Sequence, residues 1–215
     1  MTDAIPSGPW TRAAALSTAT LHEAAGRIGA LPAAIKPLAI GQVVCGPALP
    51  VSSPPGDNLW LHRAIYEARP GEVLVVDPGE GLEFGYWGEV MAVAAQQRGI
   101  AGLVINGGVR DSQRMVELGF PVFAATVCIR GTVKDSNGAG SVGEPIRLAG
   151  TVIHRGDLVL GDDDGVVVVP AALVAEAVAE SERRDRAEQA IFCRLRQGES
   201  TIEIYELPDH RDKPR

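Results

Sequence analysis

Apolar and polar positions along this chain follow two periods, and the switches between them mark its elements. Leu61, Ile65 and Ala68 share one helical face, which predicts a helix over residues 57–68. Pro70-Gly71 is a turn. Val73-Leu74-Val75-Val76 is a continuous apolar run of the kind found in strands covered on both faces. An Ala-rich stretch predicts a helix over 87–98, closed by Gly99 just past its end. A strand is expected over 102–105, a short helix over 112–118 ending at Gly119, and a strand over 121–124. Helix, strand, helix, strand, helix, strand over residues 57–124 is the pattern of right-handed βαβ crossovers and a mainly parallel sheet.

The flanks read differently. Thr20 and Glu23 have capping-box spacing, which places a short first helix there. Residues 42–48 read as a strand. Residues 128–170 are punctuated by glycines between short β-rich pieces, and Asp164-Gly165 before Val166 is a tight turn joining two strands. A final helix over 171–196 would be about 39 Å long at ~1.5 Å per residue. Ala187, Ile191 and Leu195 lie on one face, with Glu180/Arg184 and Glu182/Arg186 as i, i+4 pairs on the other. A helix this long can reach past its own domain onto a neighbouring subunit. Residues 1–10 and the tail from Pro208 read as loose ends of one α/β domain spanning 1–215.

Composition narrows the function classes. At 215 residues the chain suits one core rather than two domains. Its net charge of −7 argues against a phosphate-tracking surface, and the densest basic run, Arg183, Arg184 and Arg186, is broken by Asp185. No nucleic-acid or membrane partner is expected. There is no basic leader and no run approaching the ~20 apolar residues of a membrane span, so a cytoplasmic location is expected. Cys45, Cys128 and Cys193 are far apart and read as reduced thiols. The four histidines, His22, His62, His154 and His210, lack zinc spacing. Gly161-Asp162-Asp163-Asp164-Gly165 lacks the ligand alternation of a calcium loop and reads as a charged hairpin turn.

Candidate chemistry gathers where strands end. Ligands of open α/β sheets bind beyond the carboxyl ends of the strands. The segment Asn106-Gly107-Gly108-Val109-Arg110-Asp111 reads as such a loop, its glycines allowing close backbone approach. Arg110 can clamp a carboxylate and Asp111 can offer a hard oxygen to a metal. The neighbouring Gly88-Glu89 step leads into a helix whose first amides, at Val90 and Met91, can hold a second anionic group. Spacing alone equally allows Asp111 as a helix N-cap, Arg110 as a surface charge and Glu89 as a complement to a helix dipole. Trp60 and Trp87 read as packing residues, with Trp87 close enough to line the cleft. Asn106 has no assigned role. Lys134 reads as a surface lysine that could also touch substrate. No Gly-rich fingerprint of a nucleotide-type cofactor site follows the first strand.

Several of these motifs, in this order, resemble the RraA-like family of 4-hydroxy-4-methyl-2-oxoglutarate and 4-carboxy-4-hydroxy-2-oxoadipate aldolases. They are Asp57-Asn58, Pro70-Gly71-Glu72 through Asp77, Gly88-Glu89, Gly99 with Gly102 through Ile105, Gly107-Gly108-Val109-Arg110-Asp111, Gly119-Phe120-Pro121 through Ala124, and Gly156-Asp157 through Gly165 and Pro170. The resemblance covers roughly residues 15–200. It implies a compact α/β/β/α sandwich of the swivelling-domain type with a long C-terminal helix. It implies a homotrimer or a hexamer made of two trimers, with sites between subunits. It implies a class II aldolase that uses Mg²⁺ or Mn²⁺ and acts on a small 2-oxo acid, with oxaloacetate decarboxylation through the same enolate. In that scheme Asp111 ligates the metal, and Arg110 binds the pyruvate moiety and stabilises its enolate. Gly88 with the amides of Val90 and Met91 holds the carboxylate, and Glu89 orients or activates a water. Glu188 or Asp185 completes a neighbouring subunit's site. The family also contains inhibitors of ribonuclease E, which lack the Asp of the Arg-Asp pair; a lyase acting on another hydroxy-oxo or sugar acid is the other alternative.

Overall fold

The computed structural model describes residues 8–208. Its elements in chain order are α1 (Pro9–Ala13), α2 (Thr18–Ala24), β1 (Lys36–Pro37), β2 (Val44–Ser52), α3 (Leu59–Glu67), β3 (Val73–Asp77), β4 (Gly85–Trp87), α4 (Glu89–Gln97) and β5 (Gly102–Val109). There follow α5 (Ser112–Leu118), β6 (Val122–Val127), β7 (Ser141–Val142), β8 (Ile146–Leu148), β9 (Thr151–Ile153), β10 (Leu158–Asp162) and β11 (Gly165–Val169). A 3₁₀ turn, Ala171–Leu173, leads into α6 (Val174–Arg196), and α7 (Thr201–Ile204) ends the described chain.

The apolar runs form strands buried on both faces, and their alternation builds the layers. Leu74 and Val76 of β3 face one cluster, Val73 and Val75 another. β5 divides likewise, with Leu103 and Ile105 on one side and Val104 on the other. In β10 and β11, Leu158, Leu160, Val167 and Val169 turn to a third cluster, while Val159, Val166 and Val168 join the second. Helices α3, α4 and α5 cover the first cluster. The second lies between the sheet's two halves, and α1, α2 and α6 cover the third. The result is an α/β/β/α sandwich with a long C-terminal helix. The sheet runs β1-β6-β5-β3-β2-β10-β11, parallel from β6 through β2 and antiparallel beyond, with β4 added to β5 and β7 to β2. A separate hairpin, β8-β9, contributes Ile146, Leu148 and Ile153 to the middle cluster.

Several expectations are corrected. Residues 1–7 and 209–215 lie outside the described chain, but Pro9 and Trp10 of the expected loose start form α1, and Trp10 packs on the third cluster. The helix expected at Thr20 is the second, α2, and it is capped by Ser17, which accepts from the Thr20 N–H, and not by Thr20. β2 runs to Ser52, because a strand that changes partner midway, from β10 to β3, accommodates Pro47 and Pro50. Trp87 belongs to β4, so the following helix begins at Glu89. The i, i+4 pairs on the last helix give way to other partners. Arg184 pairs with Glu23, Glu182 with Arg12 at 2.7 Å, and Glu180 with Arg183.

Two polar features are structural. The three hairpin aspartates tie loops together: Asp162 accepts from the Thr18 N–H and hydroxyl, Asp163 from the Gly41 N–H, and Lys36 donates to the Asp164 carbonyl. Burial pushes the Cys45 thiol up to about 11, so it behaves as an inert core group.

Candidate active site

The Gly107-Gly108 pair is strand rather than loop. β5 continues to Val109, and β4 pairs alongside it. A Cβ on Gly107 would stand 2.8 Å from Pro78 Cγ, and one on Gly108 would stand 2.4 Å from the Phe84 carbonyl. These glycines therefore admit the 78–85 segment across the strand, and their role is packing rather than ligand approach. The strand delivers the two residues that follow it, Arg110 and Asp111, to the sheet's carboxyl edge, beside the start of α4.

Asp111 occupies the N-cap position of α5 but makes no side-chain cap bond. Its backbone is left-handed (φ 55°), a conformation in which Asp is among the better tolerated residues. That turn aims the carboxylate away from α5 and across to α4. Oδ2 accepts from the Glu89 N–H at 3.2 Å and lies 3.7 Å from Arg110 Nε. Oδ1 has no partner among the described residues. Gly88 makes this approach possible, since a Cβ there would stand 2.4 Å from Asp111 Oδ2 and 3.2 Å from Arg110 Cγ.

Around this pair the chain forms a cleft of about 250 Å³. Gly88, Val90 and Met91 form its α4 wall, and Arg110 and Asp111 its edge. Asn58 and His62 enter from α3 and its N-cap, Thr132 and Lys134 from the segment after β6. That segment is pinned. Asp57 accepts from the Asp135 N–H at 2.9 Å and from the Leu59 N–H at 2.7 Å, while Val133 exchanges backbone bonds with Gly56 and Asn58. Asn58 Nδ2 donates to the Tyr86 carbonyl, and its buried Oδ1 has no partner among the described residues. Burial raises the Tyr86 phenol above its ordinary value, with Asp57 adding to the effect and the Gly56 N–H bond opposing it. Burial lowers the His62 imidazole, and the nearby Lys134 charge lowers it further.

The expected residues fall into three groups. Arg110, Asp111, Gly88, Val90 and Met91 share the cleft. The Val90 N–H is unengaged among the described residues, but the Met91 N–H is taken by the Gly88 carbonyl, so one amide of the expected pair is free. Glu89 does not line this cleft. It opens on an adjoining groove shared with Arg110, Asp111, Ser112, Arg114 and Ile129. Glu188 and Asp185 lie on α6 and line neither space. Trp87 is fully buried and stacks on Phe120 at 6.2 Å, and Asn106 lies inside β5. The sequence reading missed Asn58, His62 and Thr132 as cleft residues. Asn58 and His62 are four apart at the start of a helix, the one pattern that could have flagged them.

Comparison with known proteins adds a frame. A model of the RraA-like family, described as Aldolase/RraA, matches residues 13–168. A protein of Halalkalibacterium halodurans, provisionally named 4-hydroxy-4-methyl-2-oxoglutarate aldolase, is 33% identical over 175 residues, covering 81% of this chain and 82% of that one. The solved structure of an uncharacterised protein from Pseudomonas syringae pv. tomato is similar at a TM-score of 0.80, with 27% identity and 93% of each chain covered. That of Streptomyces coelicolor RraAS2, described as an unusual member of the RNase ES inhibitor RraA family, has a TM-score of 0.71. It is 29% identical, covering 89% of this chain and 99% of that one.

Proposed function

The chain belongs to the RraA-like (Aldolase/RraA) family, and we propose that it is a divalent-metal-dependent aldolase. In this reading it cleaves 4-hydroxy-2-oxo acids such as 4-hydroxy-4-methyl-2-oxoglutarate to pyruvate and a second oxo acid. The name of the Halalkalibacterium relative supports that substrate class. The observation that carries the reading is the turn at Asp111, which sets a carboxylate and a guanidinium against the N-terminus of α4 in one cleft.

The residues present suit Mg²⁺ or Mn²⁺. No group of three or more metal-ligating side chains occurs among the described residues. Asp111, however, keeps one oxygen free and is 42% exposed, with Glu89 adjacent. Mg²⁺ takes one or two protein carboxylates and fills its remaining positions with water and substrate oxygens. Asp111 would ligate it and Glu89 would hold its waters. Such an ion supplies Lewis-acid stabilisation of charge on the 2-oxo group.

The chain's own groups do the rest. Arg110 pairs with the pyruvyl carboxylate and stays beside the enolate oxygen as charge develops there. The Val90 N–H and the α4 dipole add a second anchor for the carboxylate. Oxaloacetate, which decarboxylates to the same enolate, is a second substrate in this reading. The protein is proposed to work as a homotrimer or hexamer, with Glu188 or Asp185 reaching a neighbouring site. In support, α6 buries nothing beyond Ser181, leaving Phe192 39% exposed.

A regulatory role on the same scaffold is the competing reading, prompted by the Streptomyces neighbour. Retention of Asp111 favours the enzyme. Turnover of oxaloacetate is expected to vanish with EDTA and return with Mg²⁺, and Asp111→Ala is expected to abolish it without unfolding the protein. Turnover that resists EDTA removes the metal from the account. Ribonuclease E capture without lyase activity replaces the account with the regulatory one.

A further inference from the structure

His62 has no structural task that would explain its place in the cleft. It sits in the first turns of α3, its backbone N–H bonded to the Asn58 carbonyl at 3.2 Å. Its half-buried side chain has no hydrogen-bond partner among the described residues and lines the cleft. The charged and titratable groups sharing that space are few. Lys134 enters from the segment after β6, Arg110 and Asp111 from the end of β5, and Tyr86 from β4. Of the elements packed on α3, α4 presents Val90 and Met91 there, and β2 and β7 present no charged side chain.

The reaction needs a base on this side. Retro-aldol cleavage begins with loss of the proton on the C4 hydroxyl, and Glu89 opens on the other groove. A carboxylate against Arg110 and the α4 amide directs the rest of the substrate toward α3 and Lys134.

Resting on the aldolase reading above, we propose that His62 is the catalytic base of carbon–carbon cleavage. The imidazole takes the C4 hydroxyl proton, and C4 becomes a carbonyl. The C3–C4 electron pair passes into the pyruvate enolate. The imidazolium then returns the same proton to C3, so proton and electrons balance within the site. The lowering of its proton affinity by burial and by Lys134 suits both halves. A lowered proton affinity favours the free imidazole as the base, and an imidazolium beside a like charge gives its proton up readily.

Two substrates separate this role from a merely structural one, because oxaloacetate decarboxylation has no hydroxyl proton to remove and its enolate takes its C3 proton from water. In His62→Asn with saturating Mg²⁺, kcat for 4-hydroxy-4-methyl-2-oxoglutarate is expected to fall by on the order of 10²–10⁴. The decarboxylation kcat is expected to fall far less, and competitive inhibition by pyruvate should persist, showing an intact site. In the wild type, the acid limb of kcat/KM for the hydroxy acid should lie below the ordinary imidazole value of about 6.5 and be lost in the variant. Equal losses on both substrates, or no loss on either, overturn the assignment. A wild-type protein with neither activity overturns the aldolase reading, and this assignment with it.

Discussion

Gly88 and Asp111 constrain each other at the scale of single residues. Only a residue without a Cβ lets the Asp111 carboxylate reach the Glu89 N–H, since the added carbon would stand 2.4 Å from Oδ2. Gly88 itself has an extended backbone that any residue adopts, so the demand is for space and not for conformation. Gly88→Ala is therefore expected to fold, with a thermal midpoint near wild type. The carboxylate, 42% exposed, swings aside rather than strains the core. Displacement of about 1 Å can cost on the order of 10²-fold in rate, and kcat/KM for oxaloacetate should fall by that order. Unchanged activity would show that the Asp111–Glu89 contact does not set the reactive geometry. This is also where sequence was most and least legible. Arg110 and Asp111 stood out because an Arg-Asp step follows two glycines, but the reason for the glycines was misread: strand crowding by Pro78 and Phe84 is a tertiary fact. His62 carried only its four-residue spacing from Asn58 as a local signal, because the rest of the cleft around it comes from segments over 20 residues distant in sequence.

Among the elements, the segment between β6 and β7 depends on the turn before α3. Asp57 is 2% exposed, and its two carboxylate oxygens each accept one backbone N–H, from Leu59 and from Asp135. Trp60 Nε1 donates to the Gly138 carbonyl farther along the same segment. Asp57→Asn keeps the size but replaces one acceptor with a donor facing an N–H. A buried hydrogen bond lost this way costs about 1–3 kcal/mol. The expected result is faster amide exchange over residues 131–138 and a raised KM with a smaller change in kcat, because the wall carrying Thr132 and Lys134 loosens. Unaltered exchange there would mean the segment is held by other contacts. The βαβ alternation from residue 57 to 124 was legible because each strand is apolar on both faces and each helix has one buried face. The second half of β2 was not, because its prolines read as loop until two different partner strands are known. The ion pairs of α6 failed for a related reason. Acids and bases on α1 and α2 lie closer to its arginines and glutamates than the i, i+4 neighbours do.

The whole molecule sets a cleft on the open edge of a four-layer sandwich and leaves half of its longest helix uncovered. Past Ser181, α6 has no buried residue, which is why the site is proposed to be completed between subunits. No helix among the described residues is long and apolar enough to cross a membrane. Fold class was legible at this scale from alternation alone, whereas the folding of the sheet over a middle cluster was not, since the β10-β11 hairpin joins β2 only through long-range antiparallel pairing of β10. Arg110 and Asp111 together are proposed to form a metal and 2-oxo acid site. A crystal soaked with pyruvate and Mg²⁺ tests it most directly. The ion is expected on Asp111, the pyruvate carboxylate between Arg110 and the Val90 N–H, and Glu188 or Asp185 of an adjacent subunit beside them. Pyruvate and metal bound away from the Arg110–Asp111 pair would contradict it.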